Sequence, residues 1–349
     1  MKDFIEVIQK VSRGEKLSKD LTREEARDAL RLIFEKKASE FQIGAFFSAL
    51  RMKGESGEET AGFVDAVRER AEKLKSTFKE TLDLGEPYDG KIKTLHLTLP
   101  VALVLAAAGV PVVLHGTRET PVKKGVEIQG LLQAVGIEPV EKISRLEEIL
   151  KREKIVFLPT EKLAPDFARL RPYREAFGLR PFANHIEKIF NLAHASTQMV
   201  GIYHKPYLEP MAGALSLLGT ERIFVIQGVE GFSELYISRK TLVLKVEAGE
   251  TQTLWLDPAE YGLKGEEALA EKNLPQHVQR LLQLLGGSED KARPSVLWNA
   301  GVKLFWMKKS PSIKKGLELA REILDSGKAL DKLEGFKNAA QEKNYLQTI

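Results

Sequence analysis

The amino-terminal part of the chain carries the same helix-start signal three times in close succession. In this signal a Ser or Thr caps the helix and a Glu or Gln three residues later reaches back to the cap, so each occurrence begins a separate helix. The three pairs are Thr22 with Glu25, Ser39 with Gln42, and Ser56 with Glu59. An apolar run at helical spacing between Phe4 and Val11 precedes them. The first 75 residues are therefore predicted to form a helical bundle.

Beyond residue 75 the pattern changes to short β-rich runs separated by helical stretches, which is typical of an α/β domain. Predicted buried strands cover residues 81–84, 110–114, 155–158 and 223–227. Predicted helices cover residues 101–108, 125–135, 144–152, 296–307 and 312–324. Residues 235–256 alternate between polar and apolar types and predict two antiparallel strands joined through Gly249. Trp255, Trp298 and Trp306 lie in apolar surroundings and are predicted to be core residues.

Composition and hydropathy narrow the class of protein. No unbroken apolar run reaches the roughly 20 residues of a membrane-spanning helix, and the amino terminus does not lead into the apolar stretch of a signal peptide. We therefore expect a cytoplasmic protein without a membrane partner. The chain contains no cysteine, which excludes disulfides and thiolate metal sites. Its formal net charge of +4 is compatible with a polyanionic partner, provided that the cations cluster.

Eight short blocks, in one order along nearly the whole chain, resemble anthranilate phosphoribosyltransferases and the related pyrimidine nucleoside phosphorylases. The blocks cover residues 42–56, 106–116, 177–182, 198–203, 211–219, 257–263, 299–300 and 326–329. The resemblance implies a small helical-bundle domain beside a larger α/β domain with a central mixed, mainly parallel sheet, and a ligand cleft between them. It places residues 1–75 and about 172–195 in the helical domain, which would form a homodimer. Residues 76–171 and about 196–349 would form the α/β domain.

The loop after the first strand departs from the enzymes of this family. They carry Gly-Thr-Gly-Gly-Asp-Gly there, and its small residues let backbone amides approach a pyrophosphate. Here residues 85–91 read Gly-Glu-Pro-Tyr-Asp-Gly-Lys. Pro87 removes an amide donor, Glu86 repels an anion, and Tyr88 fills space that glycine leaves open. The sequence therefore predicts that this loop does not bind pyrophosphate as the enzymes do.

Two further parts of the phosphoribosyl site are altered. The Asp-Glu pair that holds magnesium in the family aligns with Ser233 and Glu234, so only Glu234 remains as a charged metal ligand. The serine-rich loop of the family aligns with residues 117–124, which are basic and hydroxylated. Magnesium is expected as a cofactor only if transferase activity is retained, and no other cofactor is predicted.

Residues 88–93 resemble the corresponding loop of a divergent sister family, anthranilate phosphoribosyltransferase-like proteins that lack this transferase activity and bind nucleic acid. Arg174 occupies the position that contacts anthranilate in the enzymes. His115 either faces a ligand at the carboxyl end of its strand or caps the following turn. Tyr88 is predicted to stack on bases. The predicted nucleic-acid or phosphate-binding residues are Tyr88, Lys91, Lys93, His115, Arg118, Lys123, Lys124, Arg174 and Arg180.

The leading prediction is a homodimeric protein that binds nucleic acid, DNA or RNA, in a basic cleft, without sequence specificity and with a preference for single strands. One alternative is an enzyme, a phosphoribosyltransferase or nucleoside phosphorylase that transfers a pentosyl group to a different acceptor. Another is a regulatory protein that holds a nucleotide or a small phosphate without turnover.

Overall fold

A computed structural model of the chain describes residues 3–14 and 16–342, so the predicted domain ends at residues 1 and 349 lie outside the described residues. The helices are α1 (Phe4–Val11), α2 (Arg23–Phe34), α3 (Glu40–Lys53), α4 (Gly57–Arg70), α5 (Thr98–Ala107), α6 (Ile128–Ala134), α7 (Ile143–Glu153), α8 (Thr160–Leu163), α9 (Pro165–Ala168), α10 (Arg171–Phe177), α11 (Ala183–Ile186), α12 (Leu208–Leu217), α13 (Leu274–Leu285), α14 (Arg293–Trp306), α15 (Ile313–Asp325) and α16 (Lys328–Gln341). The strands are β1 (Leu82–Gly85), β2 (Val112–Gly116), β3 (Ile155–Pro159), β4 (Thr197–Ile202), β5 (Arg222–Gln227), β6 (Thr241–Glu247) and β7 (Glu250–Leu256). Short 3-10 helices span Glu187–Ile189, Lys205–Tyr207, Val229–Gly231 and Pro258–Tyr261.

All three predicted capping boxes are present in the helical bundle. Each cap hydroxyl accepts a hydrogen bond from the third backbone N–H of its helix, and the third side chain accepts one from the cap N–H. In α3, for example, Ser39 Oγ accepts from the Gln42 N–H at 3.3 Å and Gln42 Oε1 accepts from the Ser39 N–H at 2.8 Å. The three helices that begin at these caps are therefore confirmed, and α1 (Phe4–Val11) coincides with the predicted apolar run.

An aromatic core joins these helices to a segment that returns to the bundle much later in the chain. Phe182, which is fully buried, packs edge to face on Phe46 and Phe47 and lies 4.2 Å from the ring centroid of Phe63. Phe177 at the end of α10 makes an edge-to-face contact with Phe47. These contacts place α10 against the bundle, as the predicted helical domain requires, although its limits at about 172–195 stay a prediction.

A seven-stranded sheet forms the centre of the larger domain, with strand order β3-β2-β1-β4-β5-β6-β7. The first five strands are parallel, and β6 and β7 are antiparallel to their neighbours. The predicted mixed, mainly parallel sheet is thus confirmed. The sequence did not predict β4, because Thr197, Gln198 and Gly201 interrupt its apolar pattern, although all of its residues are buried.

The sheet order reverses at β1, which has β2 on one side and β4 on the other. In open parallel sheets a ligand crevice forms at the carboxyl ends of the strands beside such a reversal. Trp298 and Trp306 are buried as predicted, but Trp255 is 59% exposed, because it lies on the edge strand β7, none of whose residues is buried. Within the described residues no helix is long and apolar enough to cross a membrane.

Candidate functional site

The loop that follows β1 is held in place by a carboxylate that points inward. Glu86 is 3% exposed and accepts hydrogen bonds from the Ser233 N–H at 2.8 Å and from Ser233 Oγ at 2.6 Å. Thr98 Oγ1 donates a third bond at 3.2 Å. Because α5 begins at Thr98, the carboxylate also lies beside the positive end of a helix dipole. An anionic side chain of the protein thus occupies the amide and hydroxyl donors that surround the start of this loop.

Tyr88 lies in the interior, contrary to its predicted role in base stacking. It is 2% exposed, and its hydroxyl is 2.6 Å from His115 Nδ1 and 2.9 Å from Thr160 Oγ1. His115 Nε2 lies 3.2 Å from Asp83 Oδ1 in β1. Burial raises the pKa of Tyr88 well above its ordinary value, so the phenol stays protonated. The chain Tyr88–His115–Asp83 is buried at the carboxyl ends of β1 and β2, and neither Tyr88 nor His115 is accessible to a nucleic acid.

The predicted phosphate ligand Lys91 and the predicted metal ligand Glu234 neutralise each other. Lys91 Nζ lies 2.5 Å from Glu234 Oε2 and donates to the Leu95 carbonyl at 3.1 Å, and both side chains are almost fully buried. Glu234 Oε1 accepts from the Leu97 N–H at 2.9 Å. Burial raises the pKa of Glu234, and the charge of Lys91 opposes that rise. Lys91 therefore contacts no external phosphate.

The residues at the predicted metal position do not fit a magnesium ion. Both oxygens of Glu234 already accept hydrogen bonds, and Ser233 Oγ donates to Glu86. A divalent ion with oxygen ligands would have to displace Lys91 from a buried ion pair. Among residues 3–14 and 16–342, no group of three or more His, Cys, Asp or Glu side chains is arranged to hold a metal.

A second carboxylate fixes the outer part of the same loop. Glu230 accepts hydrogen bonds from the backbone N–H groups of Ile92, Lys93 and Thr94, at 2.8 to 3.3 Å. These bonds and the Thr94 hydroxyl lower the pKa of Glu230 although burial opposes the change. The Lys93 side chain remains exposed. Glu230 therefore fixes the backbone from which the exposed Lys93 side chain projects.

The loops after β1 and β2 lie in direct contact. Lys91 and Val126 form an isolated antiparallel bridge, and the Gly125 N–H donates to the Asp89 carbonyl at 2.9 Å. A side chain at Gly125 would meet the Lys91 carbonyl oxygen at 2.4 Å from its Cβ, so glycine is required there. The two loops therefore pack directly against each other at Gly125.

Arg174 and Arg180, which lie in the segment around α10 that returns to the helical bundle (the returning segment), differ in solvent accessibility. Arg174 is 4% exposed, and its Nη2 donates to Glu187 Oε2 at 2.7 Å, so the structure buries the residue predicted to contact a ligand. Burial raises the pKa of Glu187, and the positive charge of Arg174 opposes this rise. Arg180 is partly exposed and donates through Nε and Nη2 to Asp89 Oδ2, at 2.8 and 2.5 Å. Arg180 therefore remains at the cleft, bound to a buried carboxylate.

The other predicted cations form the rim of the cleft. The Arg118 side chain is 46% exposed and contacts Glu127 at 3.3 Å, and the Lys124 side chain is 57% exposed and pairs with an equally exposed Glu175 at 2.9 Å. Lys93 has no ion-pair partner within the described part of the chain. Lys123 is mostly covered, and burial followed by the charge of Arg180 lowers its pKa. Lys93, Arg118 and Lys124 are thus the most exposed of the predicted cations, and we call them the rim cations.

Beside the rim lies a cavity of about 510 Å³ between the helical bundle and the sheet. Its lining includes Arg51 from α3, Asn184 and Lys188 from the returning segment, and Tyr203 and Tyr207 from the loop after β4. Lys188 Nζ donates to the Gly201 carbonyl at 2.9 Å, and burial lowers the pKa of Lys188 to about 8. The sequence did not mark these residues as functional, because they are scattered over distant segments without a common motif.

Comparisons with known proteins agree with this architecture. Residues 5–71 match the helical bundle domain of a glycosyl transferase family, and residues 89–330 match the a/b domain of the same family. The chain therefore belongs to this glycosyl transferase family, which confirms the resemblance in fold.

Within the family the chain is similar to anthranilate phosphoribosyltransferases. It is 32% identical to the one from Persephonella marina, over 95% of this chain and 97% of that protein, and 30% identical to the one from Endomicrobium trichonymphae, over 93% and 96%. The crystal structure of the Thermus thermophilus enzyme superimposes with a TM-score of 0.85 at 29% identity, covering 98% of this chain and 100% of that one.

Proposed function

We propose that this protein is an anthranilate phosphoribosyltransferase-like protein that binds nucleic acid without sequence specificity at the rim of the interdomain cleft. The proposal rests chiefly on the loop after β1, where Glu86 occupies the donors around the loop with its own carboxylate. A bound pyrophosphate would compete with that carboxylate and meet its negative charge. The chain keeps the family's fold. At the loop expected to bind the phosphoribosyl donor, however, its own Glu86 carboxylate takes up the nearby hydrogen-bond donors.

Support for a polyanionic partner comes from the rim cations. Their backbone lies on two loops that are fixed to each other and to the sheet, so that little loop entropy is lost on binding. Lysine and arginine side chains at exposed positions bind phosphates by releasing counterions, which requires no particular base. The resemblance of residues 88–93 to the nucleic-acid-binding sister family points in the same direction, although the inward-facing members Tyr88 and Lys91 act by shaping the loop.

The test is fluorescence anisotropy of a labelled single-stranded oligonucleotide, titrated at several salt concentrations. The variant Lys93→Glu/Lys124→Glu is expected to weaken binding at least about tenfold and to reduce the slope of log affinity against log salt by about 1.4, roughly 0.7 per lost phosphate contact. Arg118 is left unchanged in this variant, so that the remaining slope can be measured.

The matched control is Lys308→Glu/Lys309→Glu, which makes the same change in charge. Lys308 lies within 4.0 Å of Glu80, which precedes β1, so this lysine is at the amino end of that strand, whereas the rim cations follow the carboxyl ends of the strands. If the control weakens binding as much as the rim variant does, net charge rather than the rim explains the affinity. If the wild-type chain binds no oligonucleotide at low salt, the proposal is wrong.

The proposal includes a cytoplasmic homodimer formed through the helical bundle. Phe41 at the start of α3 is 87% exposed and Ile5 in α1 is 48% exposed, and such apolar side chains are common at protein interfaces. Two rims in one dimer would lengthen the surface available to one strand. Light scattering on the protein before oligonucleotide is added gives its mass, and a single-chain mass would exclude the dimer.

A further inference from the structure

The strand β7 forms one edge of the sheet, and its outer side is open. None of the residues Glu250–Leu256 is buried, and Trp255 is 59% exposed. Proteins commonly protect an edge strand with a proline, a lysine or a β-bulge. β7 contains neither residue type, and its seven residues pair with β6 in continuous register. The edge is therefore able to pair with a further strand.

The hairpin that joins β6 to β7 determines which backbone groups face this free edge. Its two-residue turn, Ala248-Gly249, has positive φ at both positions and is closed by the pair Glu247 and Glu250. The closing pair of such a turn exchanges two hydrogen bonds, and every second pair after it does the same. The residues whose N–H and C=O groups point away from β6 are therefore Thr251, Thr253 and Trp255. Within residues 3–14 and 16–342 these backbone groups form no hydrogen bond.

The three outward-facing residues are complementary to a second copy of the same strand. Two antiparallel copies that meet at Thr253 place Thr253 opposite Thr253 and Thr251 opposite Trp255, so that every outward-facing residue exchanges hydrogen bonds with its partner. Each exposed Trp255 ring would then lie beside a threonine. Pairs of an aromatic and a β-branched side chain stabilise antiparallel sheets, so the side chains support the same register.

The charges at the two ends of the edge are also complementary. Glu250 at the start of β7 forms no ion pair in the described part of the chain. At the other end lies Lys240, whose side chain is 60% exposed and 3.4 Å from Asp257, a carboxylate that also accepts the Ala259 N–H. Antiparallel pairing brings the start of one strand to the end of the other. Glu250 of one protomer therefore approaches Lys240 of its partner.

The end of the described chain lies away from this edge. Glu342, the last described residue, accepts hydrogen bonds from Arg145 and Arg152 of α7. The helix α7 packs on β3, which is the opposite edge strand of the sheet. A second copy, rather than the end of the same chain, is therefore the strand that fits β7.

We propose that two copies of this chain pair through β7, antiparallel about Thr253, and join their seven-stranded sheets into one sheet. This contact requires neither nucleic-acid binding nor the dimer through the helical bundle, because β7 belongs to the larger domain and Phe41 and Ile5 to the bundle. Two separate self-complementary contacts on one chain link dimers into tetramers or longer assemblies.

Single cysteine variants test the register of this contact, because the natural chain contains no cysteine. Thr253→Cys places two thiols opposite each other, with Cα atoms about 5.5 Å apart, a separation that a disulfide spans. Under mild oxidation most of this variant is expected to migrate as a covalent dimer on a non-reducing gel. Thr251→Cys is the matched control, since its two thiols lie about 14 Å apart along the strands and should not react.

A second measurement uses no cysteine. Thr253→Lys sets two ammonium groups against each other at the centre of the contact, at a position that is exposed in the single chain. Analytical ultracentrifugation is expected to show an assembly of half the wild-type mass or less. Thr253→Val keeps the β-branched shape without a charge and is expected to keep the wild-type mass.

The outcomes separate this contact from the dimer through the helical bundle. A Thr253→Cys variant that crosslinks no more than Thr251→Cys overturns the inference, and so does a wild-type chain that sediments as a monomer. A wild-type dimer whose mass Thr253→Lys leaves unchanged rejects the β7 contact and leaves the bundle dimer standing. Selective crosslinking of Thr253→Cys in protein that binds no oligonucleotide supports the β7 contact and rejects the nucleic-acid proposal alone.

Discussion

Lys91→Ala is expected to lower the free energy of unfolding by about 3–5 kcal/mol, the usual cost of leaving one charge of a buried pair uncompensated. The ammonium of Lys91 is 2.5 Å from Glu234 in an interior where both side chains are nearly inaccessible. Once the lysine is removed, Glu234 must either stay charged without a partner or take up a proton. Burial already raises the pKa of Glu234, so taking up a proton costs less free energy than remaining charged without a partner.

Urea denaturation followed by circular dichroism measures this effect. Lys93→Ala is the matched control, because the same residue type two positions later is exposed and its replacement is expected to change stability by less than about 0.5 kcal/mol. The double variant Lys91→Met/Glu234→Leu removes both charges and should recover much of the loss. An unfolding midpoint of Lys91→Ala equal to that of the wild-type chain would contradict the buried pair.

Acidification from pH 7.5 to 5 is expected to destabilise the protein by about 2 kcal/mol through His277 alone. His277 is fully buried, and its Nε2 accepts a hydrogen bond from the His96 N–H at 3.1 Å. Burial, followed by the charge of Lys91, lowers the pKa of His277 from 6.5 to about 4. The same two causes lower the pKa of His96 well below its ordinary value.

The direction of the effect follows from proton binding. Between pH 6.5 and about 4 the unfolded chain binds a proton at His277 that the folded chain does not bind. Stability is therefore complete above pH 6.5 and is lost as the pH falls towards 4, by about 3 kcal/mol over the whole interval. His96 adds to the loss in the same direction.

Unfolding free energies measured at several pH values test this prediction. In His277→Gln a side-chain oxygen can still accept the His96 N–H, but nothing titrates, so the pH dependence should flatten by about 2 kcal/mol between pH 7.5 and 5. The exposed His204 provides the control, since His204→Gln should keep the wild-type profile. A His277→Gln profile as steep as that of the wild-type chain would show that His277 is not a neutral buried group.

The predicted features that the structure confirms depend on local chemistry. Thr22, Ser39 and Ser56 start helices because each cap and its partner are three residues apart, so the chain around them determines the outcome. The buried strands β2 and β3 could also be predicted from the sequence, because nearly uninterrupted apolar runs form them. β4 escaped prediction because its polar Thr197 and Gln198 are buried by neighbouring strands, which no local pattern reveals.

The site was harder to predict because its contacts join distant parts of the chain. Lys91 meets Glu234 across 143 residues, and Arg180 meets Asp89 across 91. From the sequence, a loop lysine is expected in solvent and an isoleucine inside, yet Ile92 is 53% exposed while Lys91 is buried. The family resemblance placed the loop correctly beside the cleft, but only tertiary contacts show which of its side chains face inward.

In the proposed function, the chain's own side chains replace the phosphoribosyl donor at this cleft. Isothermal titration calorimetry of the wild-type protein with phosphoribosyl pyrophosphate and magnesium tests this replacement most directly, on the same sample that is titrated with oligonucleotide. We predict no saturable heat at millimolar donor, because Glu86 occupies the Ser233 hydrogen-bond donors beside the loop and Lys91 holds Glu234. Stoichiometric, magnesium-dependent binding of the donor at micromolar concentration would contradict the proposed function and favour a transferase with a different acceptor.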